Sequence, residues 1–260
     1  MSKNVIFCWS GTGNCLTMAK IIAGELGDTD IIMARKKPAR LDVTDAERVG
    51  FVFPCHGGGA PVDFLEYMKD VKISPNAYTF AVSQSASYAG IGLHKLSQIH
   101  RLDYWKAVHH QCTCIWLFPH WIMIPPMPAS LATKLADKKA VSIAKDILSG
   151  ARTEKKPPKN PLNVIENAGW STVTKLVTRG FKVSDKCIGC GQCVELCPRE
   201  NIKLENGKAV IGRNCIQCLG CLQFCPQEAI SITKLTQIRK HYTNKHVKAK
   251  DLSDVVIHIN

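Results

Sequence analysis

At 260 residues, 45% hydrophobic and 21% charged, the chain has room for one domain of ordinary size and a small second one. Its 34 Lys and Arg against 21 Asp and Glu give a formal charge of +13, which suits an acidic partner or an anionic ligand, while no nucleic-acid motif accompanies it. The most apolar window, Cys112 to Leu131, is interrupted by Pro119, Pro125, Pro126 and Pro128 and carries His120, which excludes a continuous membrane span, and the strand pattern starts too close to Met1 for a secretory leader, so a cytoplasmic setting is expected.

The chain opens on Asn4 to Trp9, an apolar run of strand length,. Ser10 to Cys15, S-G-T-G-N-C, follows at once, and Leu16, Ala19, Ile22, Ala23 and Leu26 then recur at helical spacing,. Strand, tight polar loop and helix form a phosphate cradle, because backbone N–H groups converge at the helix N-terminus; the bland alternative is a glycine-rich turn that binds nothing. A nucleoside-triphosphate loop needs a lysine that is missing here. The dinucleotide fingerprint begins at Gly11 and Gly13 but meets Leu16 where its third glycine belongs,. With its preceding aromatic residue, the loop resembles the flavodoxin loop that binds the 5′-phosphate of FMN. That resemblance implies contacts from Ser10, Gly11, Thr12, Gly13, Asn14 and Cys15. Flavodoxins usually carry threonine where this chain has Cys15, so one hydroxyl is lost and a backbone N–H remains. A cysteine at a helix start is also open to a lowered pKa, against plain packing.

Further strands are predicted at Thr29 to Met33, Val49 to Phe53, Tyr78 to Ser83 and Thr113 to Phe118, with helices around Val62 to Lys69, Ile91 to Leu102 and Ala129 to Leu148. The alternation predicts an α/β fold, a doubly wound parallel sheet covered on both faces, and five strands suit the flavodoxin-like order 2-1-3-4-5. Ligands in that fold sit at the carboxyl ends of the strands. After the third strand comes Pro54 to Pro61, P-C-H-G-G-G-A-P. The matching flavodoxin loop flanks the isoalloxazine ring, which places Pro54, Cys55, His56, Gly57, Gly58 and Gly59 beside it, the glycines free to let a peptide reorient. His56 either serves the flavin or a substrate, or is an ordinary solvated histidine. After the fourth strand, Ser83, Gln84, Ser85, Tyr88 and Gly90 match the loop on the pyrimidine edge, Tyr88 either stacking or simply packing. Pro119 to Pro128, with His120, Trp121 and Met123, either caps the flavin, shapes a substrate pocket or packs as a hydrophobic loop.

Ala151 to Pro161 is charged and proline-rich, marking a domain boundary,. Leu162, Ile165, Val173, Leu176 and Val177 then suggest a connector helix that docks a second domain onto the first.

That second domain is a duplication. C-I-G-C-G-Q-C-V-E-L-C-P from Cys187 aligns at one constant offset with C-I-Q-C-L-G-C-L-Q-F-C-P from Cys215. Each half is C-x2-C-x2-C-x3-C-P, the spacing of bacterial two-cluster ferredoxins, in which the fourth cysteine serves the other cluster. The segment from about Phe181 to Thr233 is similar to that family. The resemblance implies one [4Fe-4S] cluster on Cys187, Cys190, Cys193 and Cys225, and a second on Cys215, Cys218, Cys221 and Cys197. Zinc ribbons lack the third and fourth cysteines at these spacings, and disulfides need an oxidising compartment. The other five cysteines, Cys8, Cys15, Cys55, Cys112 and Cys114, show no ligand spacing.

The tail from Gln237 is basic up to Lys250 and ends in an apolar run that returns as an edge strand or a short helix. With Arg239 and Tyr242 it resembles the C-terminal extension of flavodoxin and ferredoxin fusion proteins of anaerobes, and so does the chain as a whole. That implies a flavodoxin-like FMN domain over 1–150, a linker and connector over 151–180, a two-cluster domain over 181–235 and a basic extension over 236–260. Loaded with two clusters and FMN the chain would still carry about +7. The function so implied is electron transfer through two [4Fe-4S] clusters to FMN, with an acidic redox protein as partner. Two alternatives stand beside it: an FMN-dependent reductase of a small molecule, and a cluster-bearing carrier whose flavodoxin-like domain is an empty docking module.

Overall fold

The computed structural model describes residues 2–116, 128–253 and 255–260. In chain order the strands are β1 (Asn4–Cys8), β2 (Thr29–Met33), β3 (Arg48–Pro54), β4 (Tyr78–Ser85), β5 (Tyr104–His109), β6 (Lys182–Val183), β7 (Ile202–Glu205), β8 (Lys208–Ile211), β9 (Ile230–Ser231) and β10 (Val256–Ile259). A further minor pair joins Asp42–Val43 to Lys72–Ile73. The helices are α1 (Asn14–Leu26), α2 (Val62–Met68), α3 (Gly92–Ser97), α4 (Ala129–Leu148), α5 (Pro161–Thr178), α6 (Gln192–Leu196), α7 (Gly220–Gln223) and α8 (Lys234–Ile238).

Strands β1 to β5 are mutually parallel in the order 2-1-3-4-5. β1 is buried at every position because helices cover both of its faces,. On one face Ile6, Cys8 and Val82 meet Leu16 and Ile22 of α1 and Ala140 and Ile143 of α4. On the other, Val5, Phe7, Phe51 and Phe53 meet Phe64 and Met68 of α2 and Leu96 of α3. Each large apolar side chain so enclosed contributes roughly 1.5–3 kcal/mol of transfer free energy. This double cover holds the carboxyl ends of β1, β3, β4 and β5 in one plane.

Two expectations are corrected. The fifth strand is Tyr104–His109, not Thr113 to Phe118. It lies at the sheet edge, where Lys106 and exposed Ala107 interrupt the apolar pattern that a central strand shows. The apolar run that imitated a strand is buried elsewhere: Ile115 and Trp116 pack with Leu219, Leu222 and Ile230 of the cysteine-rich segment. Phe118 and the segment Pro119 to Met127 lie outside the described residues. Second, the five parallel strands are not the whole sheet: the tail, left open between an edge strand and a short helix, supplies β10, which pairs antiparallel with β2, from Val256 opposite Ile32 to Ile259 opposite Thr29. The extension therefore returns to close the open edge of the first domain's sheet, where His258 meets Asp30 at 2.9 Å.

Among the described residues no helix is long and apolar enough to cross a membrane.

Candidate cofactor sites

At the carboxyl ends of β1, β3, β4 and β5 lies a cleft of about 790 Å³, counting the part open to solvent. Ser10, Gly11, Thr12, Asn14, Cys15, Pro54, Cys55, His56, Gly57, Gln84 and Ser85 line it. Gly13, Gly58, Gly59, Ser83, Tyr88 and Gly90 do not. Tyr88 is exposed, and its hydroxyl meets Glu166 of α5 at 2.7 Å, so it braces that helix and does not stack in the cleft.

The loop before α1 keeps its acceptors busy. Ser10 Oγ accepts from Gly13 N at 3.1 Å, and Asn14 Oδ1 accepts from Tyr242 Oη at 2.8 Å and Asn244 Nδ2 at 3.1 Å. Their remaining O–H and N–H donors are left to serve an anion. α1 starts at a left-handed Gly13 without a side-chain cap, so its first N–H groups offer the same service. Further along the cleft, Trp9 Nε1, Gln84 Oε1, Ser85 Oγ, Gln111 Oε1, Trp170 Nε1 and Gln217 Oε1 are buried without a hydrogen-bond partner. Each is costly to leave dry, on the order of 1–3 kcal/mol. A phosphate-bearing cofactor with a planar ring edged by donors and acceptors, as FMN is, fits this set of atoms.

The Gly57 to Gly59 loop is not free to reorient. α5 lies so close that a Cβ on Gly57 would overlap the Trp170 indole. Gly57 O accepts from Asn167 Nδ2 at 2.9 Å, Gly58 O accepts from Ile91 N at 2.7 Å, and Gly59 and His56 exchange backbone bonds. The glycines serve close packing, not peptide mobility. His56 Nε2 lies 3.3 Å from Gln217 O, its ring packs edge-on to Trp170 at 5.4 Å, and burial pushes its pKa down.

Cys15 does not carry a thiolate: burial, then its neighbour Cys8, push its pKa up despite the helix start. Cys55 is pushed up to about 12 by burial and by the charge of Glu166. Burial also pushes His110, on the β5 side of the cleft, down to about 4. Its Nδ1 accepts from Gln111 N at 2.7 Å, so the neutral ring carries its proton on Nε2.

The cysteine-rich segment encloses two cavities. One is ringed by Cys187, Cys190, Cys193 and Cys225, with Leu204, Ala209 and Ile230 as apolar wall. The other is ringed by Cys197, Cys215, Cys218 and Cys221, with Leu196, Ile202 and Ile216. The duplication extends to hydrogen bonds at matched positions: Asn201 N reaches Cys197 Sγ and Ala229 N reaches Cys225 Sγ, both at 3.3 Å. The second cavity also has a buried cation. Arg35, in the loop after β2, sets Nη2 3.7 Å from Cys218 Sγ and donates to Leu196 O at 2.7 Å.

The second cavity and the cleft share a wall, since Cys218 and Leu219 line both. The contact is close: a Cβ on Gly11 would stand 2.5 Å from Cys218 O.

The family and sequence comparisons with known proteins match short stretches of the chain, while the structural comparison spans more of it. Residues 186–230 match the 4Fe-4S dicluster domain family, which assigns them to a ferredoxin-type iron–sulfur domain. Ferredoxin-2 of Desulfomicrobium norvegicum is 70% identical over 27 residues, 10% of this chain and 46% of its own. A ferredoxin of Methanocaldococcus jannaschii is 49% identical over 35 residues, 14% of this chain and 59% of its own. The chain thus spans about half the length of these relatives. The FMN-dependent NADH-azoreductase of Bacillus anthracis, solved in complex with FMN, superposes on 56% of this chain and 99% of its own with a TM-score of 0.41 and 10% identity. A likeness at that level carries no argument about this chain.

Sequence reasoning missed His110, Gln111, Cys112, Thr113 and Cys114 in the cleft because the misplaced fifth strand moved its following loop too far along. It also missed Trp170, Gln217, Cys218 and Leu219 as cleft residues, which reach it from other parts of the chain, and Tyr242 and Asn244, which fasten the tail to the Ser10 to Cys15 loop.

Proposed function

We propose that this chain is an iron–sulfur flavoprotein in which two [4Fe-4S] clusters pass single electrons to FMN. The outer cluster would be held by Cys187, Cys190, Cys193 and Cys225, and the inner one by Cys197, Cys215, Cys218 and Cys221. The observation that carries the reading is Cys218, which lines the inner cavity and the cleft at once. Among the described residues no three His, Cys, Asp or Glu side chains converge to hold a single metal ion. Each cysteine quartet rings a cavity instead, as a four-iron cube requires and one zinc ion does not.

FMN, when bound, stores two electrons and releases them singly or as hydride. The protein's own residues supply the rest. Ser10, Thr12, Asn14 and the start of α1 hold the phosphate, and Gln84, Ser85 and Gln111 meet the polar edges of the ring. Arg35 favours the more negative, reduced state of the inner cluster, so electrons run inward. Around the outer cavity Cys190 is exposed, Ile188 is 65% exposed, Lys208 pairs with Asp185, and exposed Lys186, Lys203, Glu205 and Glu228 adjoin its lining residues. An acidic electron donor suits the chain's overall formal charge of +13,.

A second reading, reduction of a small molecule at the flavin, is favoured by the cleft walls, which come from the four strand ends, α5 and the 217–219 loop. Such walls admit a small molecule more readily than the face of a second protein.

The test is anaerobic purification, iron and flavin quantitation, and stepwise reduction followed by absorbance. About eight irons and one FMN per chain, with flavin bleaching after the clusters, is expected. Eight irons without flavin would sink the FMN assignment, and flavin reduced independently of the clusters would sink the relay. For the second reading, reduced protein should be reoxidised by small acceptors that also perturb the flavin spectrum; reoxidation only by proteins would remove it.

A further inference from the structure

Helix α5 is amphipathic the wrong way round. Its polar residues face the protein, beside Trp170 and Val177: Glu166 meets Tyr88, Asn167 holds Gly57 O and Lys95, Gln217 Nε2 donates to Thr178 Oγ1 at 3.0 Å, and Thr174 is buried. Its apolar side faces out. Leu162 is 74% exposed, Ile165 69%, Leu176 57% and Val173 37%. A surface helix ordinarily buries its apolar stripe, and exposed large apolar residues gathered on one face mark a contact surface more often than they occur by chance.

The stripe has a centre. On a helical net Leu162, Ile165, Gly169, Val173 and Leu176 form one row, and Gly169 stands midway between Leu162 and Leu176 and between Ile165 and Val173,. A glycine there costs helix stability, and none of the described residues demands it, since among them a Cβ on Gly169 would meet no atom within 4 Å. We infer that α5 pairs antiparallel with α5 of a second copy of this chain, crossing at Gly169. A two-fold axis through that position sets Leu162 against Leu176 of the second copy and Ile165 against Val173, so the surface complements itself, as an isologous dimer requires. The missing Cβ lets the two backbones approach at the crossing. The inner face of α5 carries Trp170 and Asn167, so the dimer would brace the helix that walls the cleft.

The inference does not depend on the electron relay, and its test needs no activity. Anaerobic light scattering of the full, cluster-loaded chain should give about 57 kDa, twice the chain mass of 28.7 kDa,. Ile165→Glu alone and Val173→Lys alone should each give the mass of one chain with unchanged cluster absorbance. Mixing the two variants should restore the doubled mass, because the antiparallel pairing sets the new glutamate against the new lysine and leaves the native Ile and Val together. A wild-type chain that stays monomeric overturns the inference, as does either variant remaining dimeric. A mixture that stays monomeric overturns the antiparallel register. Binding of wild type, but not Ile165→Glu, to neutral lipid vesicles with no dimer in solution would assign the stripe to a membrane surface and likewise overturn it.

Discussion

The two halves of the cysteine duplication share a backbone and differ in what they face. Both pass through the left-handed region at matched positions: Gly189 at φ 66° and Gln217 at 60°, Gly191 at 79° and Leu219 at 59°, Glu200 at 50° and Glu228 at 46°. In the outer half the first two are glycines, for which that conformation costs little. In the inner half they are a glutamine and a leucine, for which it costs on the order of 1 kcal/mol each. The inner side chains offset that cost through contacts the outer half lacks. Gln217 Nε2 donates to Thr178 Oγ1, and Leu219 is buried beside Ile115 and Trp116. A repeat whose copies need only hold a cluster can use glycine; a copy that must also form the wall of a neighbouring cleft needs side chains there and bears the strain.

The largest way to break the comparison is to remove one ligand from each half. Cys190→Ala and Cys218→Ala should each lose about four of eight irons. Only Cys218→Ala should also weaken FMN retention, because only that residue lines the cleft. Equal flavin content in the two variants would erase the distinction between the halves.

The cleft side has its own pH signature through His110, whose pKa is pushed down to about 4 by burial. Between that value and the ordinary 6.5 the unfolded chain binds the extra proton, so stability rises with pH across the window and is lost as pH falls below about 6.5. The full swing is roughly 3 kcal/mol. Urea midpoints at pH 7.5 and pH 5 should diverge more for the wild type than for His110→Gln; parallel behaviour would show the ring is not desolvated.

Backbone strain sharpens the comparison within the outer half. A Cβ at Gly189 would stand 2.5 Å from Gly207 O, whereas at Gly191 its nearest neighbour is Leu204 Cδ1 at 3.9 Å. Gly189→Ala should therefore cost about 2–3 kcal/mol and Gly191→Ala only about 1 kcal/mol, measured as loss of cluster absorbance in urea. Equal costs would mean that the outer loop relaxes around the added methyl.

The smallest expected effect concerns the inner cluster's charge. Arg35→Gln keeps a donor for Leu196 O and removes the cation near Cys218. It should lower the inner cluster's potential by roughly 60 mV, tenfold in a one-electron equilibrium, and leave the outer potential in place. Redox titration followed by electron paramagnetic resonance reads both, and a shift shared by the two clusters would assign the effect to the fold at large.

Much of this architecture was legible in the sequence, because local patterns encoded it. The strands β1 to β4, helix α4 and the loop from Ser10 to Cys15 were visible as apolar period and turn chemistry. The cysteine spacing, through its resemblance to two-cluster ferredoxins, implied the two quartets that ring the cavities. The edge strand β5 was not legible, since an edge position tolerates Lys106 and Ala107 while a buried loop such as Thr113 to Trp116 imitates a core strand. Tyr88 and the Gly57 to Gly59 loop were assigned to the flavin from loop position alone, and helix α5, unplaced by local pattern, is what occupies them.

By itself the sequence determined the doubly wound layout and the two C-x2-C-x2-C-x3-C-P runs, since hydrophobic period and ligand spacing act over a few residues. Only the tertiary structure decided which cavity abuts the cleft, which residues of α5 and the tail complete it, and that the polar side of α5 turns inward. Those facts depend on segments far apart in the chain meeting at one surface, and no local periodicity carries that information.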